Sequence, residues 1–495
     1  MLRPWDLNFA ISRESPQPIH QQLSAKLIQA IHSGAFGAGV PLPGTRELSQ
    51  RLGINRKTVI RVYEELTAHG WLYTEGKRGT FVSHQPPVAK TTDVLSTLHL
   101  DHLHLLALQQ ENAIQTHETG SWMDLSYPHG DHRIFNFEAL IRATRHAIIT
   151  TKRMGHETLH QPFGLQALRH ALAQMLNFEQ GLTIAPQQLC IVPTAHTSLD
   201  VVAKAIFKKG DYLLLEELHE VKTSSVFQYH TIHIQTVKHH AQGIDLGDLE
   251  KLCINYPVRA IYVSPNCQQP TTTRMTAENR TQLIKLAKRY GFYIIEDNTR
   301  AQFSYERTAP ASLASLAQQQ VIHIGSLAHL MNASYKAAYM SVPQQLLTSF
   351  EQVIDSLGDS SNLINELTLT ELLLSGEVKK QLKRAQKLYQ ERRDYCCKHI
   401  QQELGDYVSF EKPSAGFAIW LQTKQIIAPE KLEAQLHQQQ IKLNAETAYY
   451  QNQAGQTSFA IHFAHLNFDE LKLAVKRIKL AFSTLKTPAL YAAYG

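Results

Sequence analysis

The sequence has little of what marks a secreted, metal-built or membrane-embedded protein. Its five cysteines, Cys190, Cys253, Cys267, Cys396 and Cys397, are an odd number at spacings that suit neither a disulfide framework nor a zinc ribbon. Buried, reduced thiols are therefore expected. No run of about 18 apolar residues is present to cross a bilayer. The opening residues, MLRPWDLNFAISRESPQPIH, lack the basic-then-apolar order of a signal peptide. These absences predict a cytoplasmic protein with no membrane partner. Charged residues are 19% and hydrophobic residues 43% of the chain, an ordinary balance for a packed core. With 495 residues there is too much chain for one core, and roughly two to four domains are expected. Histidine is plentiful at 26, and it clusters in HLDHLHLL, His99 to Leu106. That spacing does not suit a structural zinc site and no cysteine accompanies it, so a solvated face is favoured and no metal is expected.

The charge is unevenly distributed. Of a formal +6, residues 1–84 carry +4, from ten Lys and Arg against six Asp and Glu. A polyanionic partner for this part follows naturally. Within it, Ile19, Leu23, Leu27 and Ile31 fall four apart on one helical stripe, which Gly34 closes. Leu48 and Leu52 share a face of a short second helix that Gly53 ends. Asn55 is placed to cap a third helix whose buried stripe is Val59, Val62, Tyr63 and Leu66. Two helices joined by so short a turn form a helix-turn-helix. Arg56, Lys57 and Thr58 then occupy the first turn of the recognition helix, with Arg61 one turn on. WLYTEGKRGTFVS reads as a two-stranded hairpin with Lys77, Arg78, Gly79 and Thr80 at its tip, a basic wing whose glycine lets backbone approach a phosphate.

PGTRELSQRLGINRKTVIRVYEELTAHGWL followed by GKRGTFV, within residues 16–83, resembles the winged helix-turn-helix of the GntR family of bacterial regulators. The resemblance implies Arg46 and Arg56 as principal DNA contacts, assisted by Thr58 and the Gly79 wing tip. Ile60 stands where close relatives often carry a basic residue, which implies a different affinity or base preference.

After a proline-led, polar linker at 85–118, apolar strand segments alternate with helical ones: LRHALAQML then LCIVPTA, LDVVAKAIFKKG then YLLLEE, QLIKLAKRYG then FYIIEDN. Such alternation predicts a mostly parallel α/β sheet. GDHRIFNFEALIRA, GLQALRHALAQML, YVSPNCQQPTTTRM, FYIIEDNTRAQF and LSGEVKKQLKRAQKLYQERRD resemble, in order and spacing, the landmarks of fold-type I aminotransferases. With the GntR-like head they resemble the MocR-type (GntR/aminotransferase) regulators. The fold class is thus α/β: a winged helix-turn-helix at 1–84, a fold-type I PLP-dependent-transferase-like large domain at 119–385 and a small domain at 386–495. The family implies a homodimer.

The resemblance implies pyridoxal 5'-phosphate, yet the residues that chemistry needs are eroded. A lysine amine, an acid on the pyridine nitrogen, phosphate donors and a stacked ring are required. The acid survives as Asp297. In HIGSLAHLMNASYKAAYMSVP the lysine's place falls on His329, an imidazole with no primary amine, and the phosphate-binding arginine's place falls on Lys336. The phosphate-loop glycine is Thr194, the stacking aromatic Glu220, the asparagine Gln269 with Thr272 beside it, a tyrosine Thr299, and the substrate-carboxylate arginine Ala460. No cofactor and no catalysis are expected. The expected function is a DNA-binding transcription regulator, nucleoid-associated when bound to its double-stranded operator, with a pseudoenzyme domain for dimerisation and effector sensing. Two other readings stand beside it. One is a regulator holding the cofactor noncovalently through Asp297 and Lys336; the other is an active aminotransferase with a DNA-binding head.

Overall fold

The computed structural model describes residues 17–87, 122–126, 129–155, 161–306, 310–331, 337–358, 362–443, 449–451 and 456–486, with Phe9, 11–13, Ser15 and Tyr335 besides. They fall into two compact units divided between Glu118 and Thr119. The linker at 85–118, from residue 88 on, and the His99–Leu106 cluster lie outside the described residues.

The first unit is built on three helices, Ile19–His32, Thr45–Leu52 and Arg56–Ala68. Their stripes meet in one core: Leu23, Leu27, Ile31, Leu48, Val59, Val62, Tyr63 and Leu66 are buried together with Leu72 and Val82. Each fully buried Leu or Val contributes about 1.5–3 kcal/mol. The second helix stops at Gly53, whose φ of +61° is a left-handed turn that a Cβ would penalise, and the Gly53 and Ile54 amides donate to Gln50 and Ser49 carbonyls. Strands Leu72–Glu75 and Gly79–Val82 pair antiparallel as the sequence predicts. A feature not predicted is the stretch Gly39–Leu42, which lies along the outer edge of the second strand: Gly39 donates to Val82 at 2.9 Å, Leu42 to Thr80 at 2.8 Å, and Val82 to Val40 at 3.0 Å. It supplies the partners that an edge strand would otherwise lack.

The second unit centres on a seven-stranded sheet. Its order is Leu189–Val192, Ala338–Ser341, Val321–Ser326, Tyr293–Asp297, Val258–Val263, Tyr212–Glu216, His233–Val237. Ala338–Ser341 runs antiparallel to both neighbours and the other pairings are parallel. Apolar residues line both faces of the central strands, as covered parallel sheets require. Tyr293–Asp297 is the middle strand, and its carboxyl end delivers Asp297 to the edge where open α/β sheets gather their ligands.

A second sheet, ordered Val408–Phe410, Ala418–Ile426, Gln456–His462, Tyr449–Gln451, is antiparallel throughout. Helix Phe468–Lys486 packs on helix Glu377–Leu404 and on Pro429–Gln438 beside it. The boundary read at 385/386 falls inside the unbroken helix Glu377–Leu404, which serves both lobes. Met123–Asp124, grouped by sequence with the larger lobe, instead pairs in parallel with Ile441–Lys442, and Leu125 accepts from the His462 amide at 2.9 Å. All five cysteines are free, four of them buried. Among the described residues no helix is long and apolar enough to cross a membrane.

Candidate functional site

Two places carry chemistry. In the first unit, the Asn55 side chain accepts from the Lys57 amide at 2.8 Å, which fixes the first turn of the recognition helix. That turn presents Arg56 and Lys57 to solvent, with Thr58 half-buried and Arg61 exposed beyond it. Arg56 Nε donates to Thr45 Oγ1 at 3.3 Å, tying the recognition helix to the start of the second helix, where Arg46 is also exposed. Among the described residues Arg46, Arg56, Lys57 and Arg61 have no carboxylate partner, whereas Arg51 is held by Glu47 at 2.7 Å and Arg78 by Glu75 at 3.2 Å. The wing turn Gly76–Arg78 leads into Gly79, φ +117°, and Thr80, which pairs with Thr74. The Lys77 side chain lies outside the described part.

In the second unit, the carboxyl end of the middle strand opens on a polar pocket lined by Ser264, Cys267, Gln269, Asp297, Thr299, Arg300 and Ala301. Asp297 accepts from the Tyr262 hydroxyl, from the Thr299 amide at 2.9 Å and from Thr299 Oγ1 at 2.7 Å. Burial, then the Asp297 charge, holds the Tyr262 phenol well above its ordinary range, so it stays a donor. Gln269 is turned to Cys267, its amide 3.4 Å from Sγ. Thr272 is buried and keeps a left-handed φ of +60°, a rare conformation for a β-branched residue. Thr194, at φ −142°, caps helix Ala195–Ile206 by accepting from the Thr197 amide at 3.1 Å. Ala460 is buried in the second sheet opposite Trp420.

His329 lies in the turn Ala328–Leu330 that follows strand Val321–Ser326. Its ring stands 5.1 Å from His129 and 5.3 Å from Phe417, and its Nδ1 is buried without a hydrogen-bond partner among the described residues. Burial first, then the Arg300 charge and His129, keeps its pKa well below the ordinary imidazole value. Lys336 lies outside the described residues.

Sequence reading missed the group that organises this pocket. Arg300, three residues past Asp297, donates from Nη2 to Glu220 Oε1 at 3.2 Å, while its Nε is buried without a partner among the described residues. Burial works against its charge, but Glu220 and Asp297 outweigh that and raise its pKa. Its field reaches His129, lowered to about 4, and His462, lowered to about 3, in both cases by burial first and Arg300 second. His462 Nδ1 meets the Leu125 carbonyl at 3.0 Å and His465 Nε2 that of Asp124 at 2.8 Å. A cation beside Asp297 in EDNTR was a readable signal; its meeting with Glu220, distant in the chain, was not. Among the described residues no group of three or more His, Cys, Asp or Glu is placed to hold a metal ion.

Residues 124–478 match the family of class I and II aminotransferases, and residues 19–82 match the gntR family of bacterial regulatory proteins. The chain is 25% identical to the uncharacterized HTH-type transcriptional regulator YdeL of Bacillus subtilis, over 96% of this chain and 99% of that one. It is 24% identical to a probable rhizopine catabolism regulatory protein, MocR, of Rhizobium meliloti, over 96% of each. The structure of an archaeal alanine:glyoxylate aminotransferase superposes with a TM-score of 0.68 at 20% identity, covering 74% of this chain and 92% of that one.

Proposed function

The chain belongs to the class I and II aminotransferase family and carries a GntR-type head before that domain, as MocR-type regulators do, and from this premise we propose that it is a sequence-specific DNA-binding transcription regulator whose aminotransferase fold has left aminotransferase chemistry behind. The observation that carries the first half is the set of four exposed cations, Arg46, Arg56, Lys57 and Arg61, that no carboxylate in the described head neutralises. Cations left free at a recognition helix and at the start of the helix before it are matched by phosphates and base edges. Arg78 and Lys77 at the wing would add to them, Arg78 by exchanging Glu75 for a phosphate. A shift assay on operator fragments tests this: Arg56→Ala should lose on the order of 1–3 kcal/mol of binding. Equal binding by wild type and variant would refute the assignment.

The second half rests on the donor set around Asp297, which pyridoxal phosphate does not fit. Asp297 spends Oδ1 on Thr299 and shares Oδ2 with the Tyr262 hydroxyl, which leaves one acceptor direction at most for a pyridine nitrogen. Thr194 spends a cap amide on its own hydroxyl, and Glu220 brings a negative charge to the place of a stacked ring. In the lysine's place, His329 is a neutral imidazole among aromatic rings. No step of transamination is open to these side chains. The protein should therefore purify colourless. A borohydride-reducible adduct mapped to Lys336 would revive the cofactor-holding reading.

The domain's remaining work is dimerisation and effector sensing. An apolar stripe on helix Phe137–Thr151 supports the former: Phe137, Ile141 and Ile148 lie near one line of the helix and are 42%, 66% and 51% exposed. Helix Leu363–Leu374, packed against it, exposes Ile364 and Leu374. A patch of this kind is covered by a partner, here a second copy of the chain. Sedimentation of full-length protein should give a dimer.

A further inference from the structure

We propose that Arg300 is the receptor for the carboxylate of a small organic acid, and that Glu220 is an intramolecular carboxylate holding that place until the acid displaces it. The inference deepens the effector-sensing reading above and rests on it.

A guanidinium presents five N–H donors in a planar fork. Arg300 is 12% exposed, and among the described residues its hydrogen bonding amounts to one contact, Nη2 to a single Glu220 oxygen at 3.2 Å. Its Nε is buried and points at no acceptor. Leaving such a donor unmet is costly, and a carboxylate that took Nε and Nη2 together would meet both in the bidentate geometry that carboxylates favour. Glu220 makes half of that interaction.

Glu220 is also the group free to leave. It sits at the residue before helix Val221–Tyr229, and its side chain is 31% exposed, so its carboxylate has water to turn into. A ligand gains what Glu220 gives up. The space between Asp297, Gln269 and Arg300 is about 10 Å3, close to one water molecule. The acid must therefore occupy the volume Glu220 vacates.

The charge pattern selects the class of anion. Asp297 and Glu220 both act on the Arg300 charge; once Glu220 is displaced Asp297 remains, and a phosphate dianion brings two charges against it where a monocarboxylate brings one. The neighbouring rings of His129 and His329 are neutral, with pKa values depressed by burial and by Arg300, and offer no further cation. His329 Nδ1 is a second buried polar atom awaiting a partner.

The test is calorimetric titration of full-length protein with sodium acetate, sodium butyrate, acetamide and inorganic phosphate, on wild type, Glu220→Gln, Arg300→Gln and Arg300→Lys. The carboxylates should bind, and the amide and phosphate should not. Glu220→Gln removes the competitor without emptying its volume and should tighten carboxylate binding by about tenfold, the scale of one charge-assisted hydrogen bond. Because this is a gain, misfolding cannot mimic it. Arg300→Gln should abolish binding; Arg300→Lys, with charge but no fork, should weaken it by about tenfold. Carboxylate and amide binding alike, phosphate binding best, or no tightening in Glu220→Gln each overturn the proposal. Adding pyridoxal phosphate separates the two readings. A reducible adduct defeats the pseudoenzyme, whereas absent carboxylate binding with no adduct defeats the Arg300 site alone.

Discussion

The neutral histidines of the second unit make its stability depend on pH in a calculable way. His129 and His462 have folded-state pKa values of about 4 and about 3, and His329 is also well below the ordinary value. In the unfolded chain each returns to about 6.5. The folded values are the lower ones, so the fold favours the uncharged rings. The stability they permit is present above about pH 6.5 and is lost as pH falls from there towards about 4. Over that window the unfolded chain binds more protons, and each histidine contributes a slope of up to about 1.4 kcal/mol per pH unit. Between about pH 7.5 and 5.5 the loss is about 1.4 kcal/mol per ring, or roughly 4 kcal/mol for three; partial exposure brings a realistic figure nearer 2 kcal/mol. That is a large part of an ordinary domain stability of about 5–15 kcal/mol. The perturbation is His462→Gln, whose amide keeps a donor for the Leu125 carbonyl while removing one titrating group. Urea unfolding followed by tryptophan fluorescence at three pH values should show wild type weakening towards about pH 5.5. The variant should flatten that dependence by up to about 1.4 kcal/mol. The interval stops above the range where Asp131 and Glu296, held low by their hydrogen bonds against the cost of burial, begin to protonate. A wild-type stability flat across it, or a variant retaining the whole slope, would refute the reasoning.

DNA binding should weaken with salt: if about five head cations neutralise phosphates, log affinity falls against log salt with a slope near −4 to −5 per head, and Arg56→Ala should reduce that slope by about one. Asn55→Ala removes the cap on the Lys57 amide and should cost the head about 1 kcal/mol in thermal unfolding, with weaker operator binding in step. His329→Lys should yield at most weak imine absorbance with pyridoxal phosphate, because Thr194 and Glu220 are unchanged; full conversion to a yellow holoprotein would contradict the account of the pocket. Ile148→Glu places a charge in the exposed apolar stripe, and sedimentation should shift towards monomer.

The head was legible because its determinants are local. Leu23, Leu27 and Ile31 repeat with the helix period, Gly53 stands where the backbone turns left-handed, and Asn55 stands where a cap is needed. The edge pairing of Gly39–Leu42 was not, since backbone hydrogen bonds between distant segments leave no residue-type signal. In the second unit, apolar runs such as YLLLE and YIIED announced buried parallel strands. The pocket's altered positions were read through resemblance alone, position by position. Its new order was not: Arg300 acquires meaning only beside Glu220, and His129 only beside His329, contacts made by chain folding rather than by spacing. Thr272 shows the same limit from the other side, for the backbone holds a left-handed turn that the threonine side chain does not advertise.

Helix Glu377–Leu404 has 28 residues and is about 42 Å long. Along it, Gln386 donates to the Gln302 carbonyl at 2.6 Å, the Tyr389 hydroxyl accepts from the Asp131 amide at 2.8 Å, Arg392 reaches Asp131 at 2.8 Å, and Arg393 donates to the Pro413 carbonyl at 2.9 Å. Gly130 leaves no room for a Cβ between the Tyr389 hydroxyl and the His329 carbonyl. In mechanical terms this helix is a stiff beam with its fulcrum at the pocket wall. A shift of His329 or Asp131 would not be absorbed where it arose, because a continuous helix bends at higher cost than it tilts. Such a shift would reappear as rotation at the beam's ends, one following the exposed Leu374 and the other leading to strand Val408–Phe410.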